Sequence, residues 1–293
     1  MVIEWKGVKR VLVIRLRSIG DTVLSTPSLI ALKRFLPGAR IDILLEDWVA
    51  PLLDGFDSVD NVIIVGKGPA DRFKTALQIR RNNYDVVFNL HGGTTSTFFT
   101  KATGARHRVG YANYQYPFFY NHRLTSSTEF WNHEPTHSAE QQLALLGFVG
   151  VPVEDKPKSR LVVTESVLDS FKNSFNAKTQ RREDARNLGA TVVGPVSTAR
   201  VSEWQYLGGY ALMHPAAAFA TKTWAAENFV RVAEYLNDRG LKTIAIAAPN
   251  ERAVLEDLTS QSSVPIITFD DLTLPEITAL ASRAKLFVGN DSG

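Results

Sequence analysis

The chain has 293 residues, 44% of them hydrophobic and 22% charged. That is the balance of a globular protein long enough for two domains, and it excludes a mainly disordered chain. The absence of cysteine excludes disulfides, zinc–thiolate sites and thiol catalysis, and a net charge of +3 is too mild for the concentrated basic stripe of a nucleic-acid binder. That small excess suits anionic small substrates or an anionic membrane surface. The N-terminus lacks the basic-then-apolar pattern of a signal peptide, and no run reaches the roughly 20 apolar residues of a membrane-spanning helix, so the expected location is cytoplasmic.

Strand and helix signals alternate from the start. Residues 10–16 read as a buried parallel strand, 22–35 as a helix ended by Pro37-Gly38, and 41–45, 62–65, 85–90 and 107–111 as further strands. Helical stretches are expected near 48–53, 73–81 and 95–103. Residues 111–123 are aromatic and irregular, either a loop packed on the domain or one that faces a substrate, and 138–148 reads as a closing helix. After a Pro-containing linker the alternation resumes. Strands are expected at 161–164, 210–214, 242–247, 265–269 and 285–289, and helices at 167–175, 225–239, 251–258 and 274–282. The pattern predicts an α/β protein of two parallel-sheet domains, residues 1–152 and 153–293. Residues 176–207 read as an insertion, and the end at Asp291-Ser292-Gly293, without a following helix, reads as a truncated final βα unit.

In such proteins ligands sit in the turns that follow parallel strands. Asp21, after Gly20 at the start of a helix, is a candidate general base; the alternative is an ordinary helix cap, and a tight cap would leave it a poor base. Lys222, between the strand that ends at His214-Pro215 and the next helix, is a candidate phosphate contact, with Thr221 and Thr223 as added hydroxyl donors. Trp224 reads as a core residue sooner than as one that stacks on a base. Ser292 and Gly293 could donate to phosphate oxygens, while Asp291 orients their turn or takes a sugar hydroxyl. Glu251 suits a ribose contact or a favourable charge on a helix first turn. Arg15, Arg17 and Ser18 flank the first turn, His91 ends the fourth strand and could line a substrate cleft, and Arg106 and Arg108 lie before the fifth strand. The arginines are candidates for anionic acceptor groups. The histidines show no metal-ligand spacing.

Four separated blocks carry a family resemblance: Arg15-Leu16-Arg17-Ser18-Ile19-Gly20-Asp21 with Leu24-Ser25-Thr26-Pro27; Arg108-Val109-Gly110-Tyr111; His214-Pro215 with Lys222-Thr223-Trp224; and Val288-Gly289-Asn290-Asp291-Ser292-Gly293. In these the chain resembles the family 9 glycosyltransferases, the bacterial heptosyltransferases of lipopolysaccharide core synthesis. The resemblance implies a GT-B architecture, two Rossmann-like domains facing across a cleft, with the acceptor on the first and the nucleotide sugar on the second. It implies an inverting, metal-independent transfer of heptose from ADP-heptose to a lipid A–Kdo type acceptor. No cofactor is expected beyond the ADP-sugar substrate. The partners it implies are that nucleotide sugar, an anionic glycolipid and the inner face of the bacterial inner membrane. It also makes Asp21 the proposed base. The alternatives are a family member with another nucleotide-sugar donor, a nucleotide-sugar epimerase of the same architecture, and an inactive nucleotide-binding protein.

Overall fold

The computed structural model describes residues 3–134, 136–173, 175 and 209–290. Two compact units emerge, dividing between Val162 and Val163. The predicted insertion at 176–207 and the terminal Asp291-Ser292-Gly293 turn lie outside the described residues.

The first unit is a six-stranded, wholly parallel sheet: β1 (Arg10–Ile14), β2 (Arg40–Glu46), β3 (Asn61–Val65), β4 (Val86–Asn89), β5 (His107–Tyr111) and β6 (His122–Leu124), in the spatial order β3-β2-β1-β4-β5-β6. Helices α1 (Ile19–Phe35), α2 (Pro69–Arg81), α3 (Thr94–Ala102), α4 (Ser127–Trp131) and α5 (Ser138–Gly147) complete it. Val11, Leu12, Val13 and Ile14 are all fully buried. A strand covered on both faces has no polar side to show, which is why β1 reads as a continuous apolar run. Chain order and spatial order reverse between β1 and β4, which is the switch point where ligands settle in doubly wound sheets.

Helix α1 runs through Pro27, which has no N–H for the carbonyl of Val23. The Thr26 hydroxyl donates to that carbonyl at 2.7 Å, and Ser25 does the same for Thr22 at 2.7 Å. The Thr26 hydroxyl, next to the proline, therefore supplies the one bond that Pro27 removes.

The second unit is a four-stranded parallel sheet of β7 (Tyr210–His214), β8 (Lys242–Ile246), β9 (Ile266–Phe269) and β10 (Leu286–Gly289), ordered β10-β7-β8-β9. Its helices are α6 (165–173), α7 (Ala226–Asn237), α8 (Arg252–Gln261) and α9 (Leu274–Arg283). Phe171, Tyr210, Leu212, Ile244 and Leu280 form one core layer, and Met213, Phe229, Ala245 and Leu258 form the other. The order reverses here too, between β7 and β10.

Three expectations are corrected. Residues 161–164 carry a strand-like Leu-Val-Val-Thr sequence but pair with no strand among the described residues, and a β-prone run becomes a strand only where a ladder accepts it. The helix expected at 48–53 is a single 3-10 turn, Ala50–Leu53, which the chain leaves at once, with Asp54 extended and Gly55 at a φ of 72°. The aromatic loop after β5 holds a 3-10 turn, Pro117–Phe119, and then β6 and α4, both too short to leave a periodic signal. Among the described residues no helix is long and apolar enough to cross a membrane.

Candidate active site

The turn after β1 is built around Ser18, whose φ of 79° is a conformation that non-glycine residues seldom adopt. Ser18, not Asp21, is the cap of α1: its Oγ accepts from the Asp21 amide at 3.5 Å, and its carbonyl accepts from the Thr22 amide at 3.0 Å. Asp21 sits on the first helical turn with its carboxylate unspent on capping. That carboxylate pairs instead with the Arg15 guanidinium, and it remains 36% exposed where Arg15 is only 9%. The pair thus has a fixed cationic side inside the protein and an open anionic side. Burial depresses the Arg15 pKa, opposed by the Asp21 charge; an arginine stays cationic through such a shift. Arg15 also donates to the carbonyl of Leu90, which ties the end of β1 to the end of β4 across the switch point.

The turn after β4 is organised by Asn89, which is fully buried. Its Oδ1 accepts from the amides of His91 at 2.9 Å and Gly92 at 3.0 Å, and its Nδ2 reaches the Tyr120 hydroxyl at 2.6 Å. Gly92 has φ 79°, and a Cβ there would meet the Tyr114 ring at 2.4 Å, so only glycine fits. His91 is held beside Arg15 with its pKa lowered, first by burial and then by the charges of Arg15 and Arg17, so it is neutral at neutral pH.

In the second unit the site-forming turns meet at the β7/β10 switch point. Asn290, directly after β10, donates to the Pro215 carbonyl at 2.6 Å and accepts from the Trp224 amide at 3.0 Å, while its own amide reaches the His214 carbonyl at 3.1 Å. One side chain thereby fixes the end of β7 and the turn that carries Thr221, Lys222 and Thr223. Lys222 ends the 3-10 turn Ala220–Lys222, exposed, and α7 begins directly after with no side-chain cap among the described residues. Uncapped amides beside a lysine suit an anion. The Thr223 hydroxyl donates to the Phe219 carbonyl at 3.1 Å.

The structure relocates several predicted residues. Arg106 and Arg108 lie at the amino end of β5, where Arg108 is level with Val87 and Leu12 in the middle of the neighbouring strands. Arg15 follows the carboxyl end of β1, roughly 10 Å further along the strand direction at about 3.3 Å per residue. Arg108 is spent on the carbonyls of Phe119 and Ala105, both at 2.6 Å, and Arg106 lines a separate small hollow with Glu4 and Asp85. Neither belongs to the Asp21 site. Arg17 and Gly20 are exposed on the first turn. Glu251 accepts from the Ala248 amide at 3.0 Å, which is a capping role in its own turn. Trp224 is 46% exposed and packs its ring edgewise on Phe229 at 5.1 Å, so it is not a core residue. Neither Asn89 nor Asn290 was singled out as a site residue in the sequence: Asn89 reaches the distant Tyr120 besides its own turn, and the partners of Asn290 at Pro215 and Trp224 are brought near only by the strand order. Among the described residues no three His, Asp or Glu side chains cluster as metal ligands.

Two α/β units with wholly parallel sheets, each with polar turns at a switch point, define the GT-B class of glycosyltransferase folds. Residues 72–293 match the family described as glycosyltransferase family 9 (heptosyltransferase), and the chain belongs to that family. Among its relatives, lipopolysaccharide heptosyltransferase 3 of Escherichia coli (strain K12) is 25% identical over 289 residues, covering 93% of this chain and 74% of the relative. A family 9 glycosyltransferase from Veillonella parvula superposes with a TM-score of 0.75 at 20% identity, over 97% of this chain and 75% of that one. ADP-heptose lipopolysaccharide heptosyltransferase II of Escherichia coli does so with a TM-score of 0.69 at 19% identity, over 97% and 79%.

Proposed function

We propose that the chain transfers heptose from ADP-heptose to a sugar of the lipopolysaccharide inner core, inverting the anomeric centre and using no metal. The observation that carries this is the Asp21 carboxylate, kept off the helix cap by Ser18 and held at its rear by a buried arginine. In this reading Asp21 takes the proton of the acceptor hydroxyl as its oxygen attacks the anomeric carbon, and the bond to the diphosphate breaks on the opposite face. The departing ADP meets Lys222 and the uncapped amides of α7, which stabilise its developing charge. The names of the relatives support ADP-heptose as donor and lipopolysaccharide as acceptor. Because that acceptor is a glycolipid, the enzyme would work against the inner face of the inner membrane, as a peripheral protein of the cytoplasm.

The test is calorimetric titration of ADP, with UDP and GDP as controls, into this chain and into Lys222→Ala, followed by transfer assays with ADP-heptose and heptose-deficient lipopolysaccharide. Selective ADP binding that weakens about tenfold or more in the variant, with ADP released only when acceptor is present, is expected. Equal binding of all three nucleotides would refute the donor assignment. A rate abolished by EDTA and restored by a divalent cation would refute metal independence.

A further inference from the structure

A cavity of about 400 Å³ opens at the carboxyl edge of the first sheet, beside the Arg15–Asp21 pair. Its walls come from the ends of β1 and β4, from the segments after β5 and β6, and from the first turns of α4 and α5. This is the size of pocket that encloses a small organic ligand.

The lining is hydroxyl and amide rather than ionic. Asn113, Thr125, Ser126, Ser127, Gln141 and Gln142 contribute to it, and no carboxylate does among the described residues. Among the described residues its single cation, Arg15, already faces Asp21 and the Leu90 carbonyl. His91, also in the wall, has its pKa lowered, first by burial, which disfavours its charged form. An anion entering this space would therefore find a positive charge already shared with Asp21, and it would approach that carboxylate.

Gln142 is the informative residue. It is 4% exposed, yet neither Oε1 nor Nε2 has a hydrogen-bond partner among the described residues. His91 Nδ1 and Arg15 Nε are buried beside the same cavity in the same condition. A buried amide without partners is destabilising, and leucine fills a similar volume without that penalty. The fold alone thus has no use for glutamine here. Four unpartnered polar atoms on three side chains around one cavity, two of them on Gln142, suit a ligand dense in hydrogen-bonding groups. The Tyr111 and Tyr114 rings, edge to face at 5.4 Å, offer apolar surface for the C–H face of a sugar ring.

We infer that this cavity binds the neutral, hydroxyl-rich ring of the acceptor sugar, with Gln142 as its specificity-determining residue. The inference rests on the reading of the chain as a glycosyltransferase with Asp21 as base. It places any phosphate or carboxylate of the acceptor outside this cavity, against the expectation that Arg15 binds such a group.

Two experiments test it. In the first, saturation-transfer NMR on the full chain without nucleotide compares the methyl glycoside of a manno-heptose, a neutral probe, with free Kdo, an anionic one. The neutral probe is expected to bind in preference, and Gln142→Leu to weaken it at least fivefold while the thermal midpoint holds or rises. Binding that Gln142→Leu leaves unchanged, preference for Kdo, absence of binding by both probes, or a fall in the midpoint would overturn the inference. In the second, Gln142→Leu is expected to raise the KM for acceptor tenfold or more, with kcat and the KM for ADP-heptose within threefold. A rise in the donor KM alone would overturn it by assigning the cavity to the donor sugar. The binding experiment requires no turnover. A chain that binds the neutral probe through Gln142 but transfers no heptose sinks the proposed function and leaves the cavity assignment standing.

Discussion

Replacing Asp21 by asparagine separates the two things its carboxylate can do, neutralise Arg15 or accept a proton. Asparagine keeps the size and a hydrogen bond to the guanidinium but removes the charge. If Asp21 is the base, the loss should be about 10²- to 10⁴-fold in kcat, which is roughly 3 to 5 kcal/mol of barrier at about 1.4 kcal/mol per decade. Stability should also fall, because Arg15 is left a cation at 9% exposure without its counter-charge. Breaking a fully buried pair costs about 3–5 kcal/mol and an exposed pair contributes about 0–1 kcal/mol. With Asp21 36% exposed the cost should lie between, about 1–3 kcal/mol. Thermal unfolding measures that cost, and steady-state release of ADP measures kcat. The deciding protein is the double variant Asp21→Asn/Arg15→Met, which removes both charges together. If Asp21 served only to neutralise Arg15, the double variant would regain both stability and rate. The expected result is recovered stability with a rate as low as that of Asp21→Asn alone. A double variant within tenfold of the unmodified rate would refute the assignment of Asp21 as base.

The remaining predictions concern the turns and one buried pair. Gly92→Ala forces a Cβ into the Tyr114 ring at a φ of 79° and should raise the KM for acceptor while sparing the donor KM; an unchanged acceptor KM would count against a role for the β4 turn. Asn290→Ala removes the bonds to Pro215 and Trp224 and should weaken ADP binding about tenfold, or roughly 1.4 kcal/mol, which calorimetry would detect. His107 and His122 face each other at 3.0 Å, both buried, and burial is the first cause that lowers each pKa, in the case of His122 to about 4. Unfolded histidine binds its proton near 6.5, so this contribution to stability is complete above pH 6.5 and is lost as pH falls from there to about 4. The loss is about 3 kcal/mol at most, and His122→Gln should flatten it; parallel pH–stability curves for the two proteins would sink the argument.

How far the site could be read from the sequence follows the range of the interactions that make it. The β1–α1 turn was legible because everything that announces it is local: a continuous apolar run, Gly20, a carboxylate and helical spacing. The Lys222 turn was legible for the same reason, between the end of β7 and the start of α7. The errors arose where strand direction or strand order decides the matter. Arg108 stands in a motif with Gly110 and Tyr111, but the strand separates its two ends in space, and only Tyr111 reaches the edge where the cavity lies. Asn290 acts across the β7/β10 switch point; its partner at Pro215 is 75 positions away, and no local pattern encodes that distance.

Gln142 was hidden for a different reason. It lies on the buried face of α5 among Leu143, Ala144, Leu145 and Leu146, where a single polar residue reads as an interruption of the core pattern. Only the cavity beside it, and the absence of a hydrogen-bond partner among the described residues, turn that interruption into a chemical statement. Positions where a sequence departs from what its own fold would favour are expected to be functional ones. Ser18 at positive φ, Arg15 buried as a cation and Gln142 buried without partners are three such departures, and all three flank one switch point of one sheet. Their convergence argues that the first unit is built around a substrate at the expense of stability. Substitutions that relieve each departure, with Gln142→Leu the simplest, should therefore gain stability as they lose acceptor affinity.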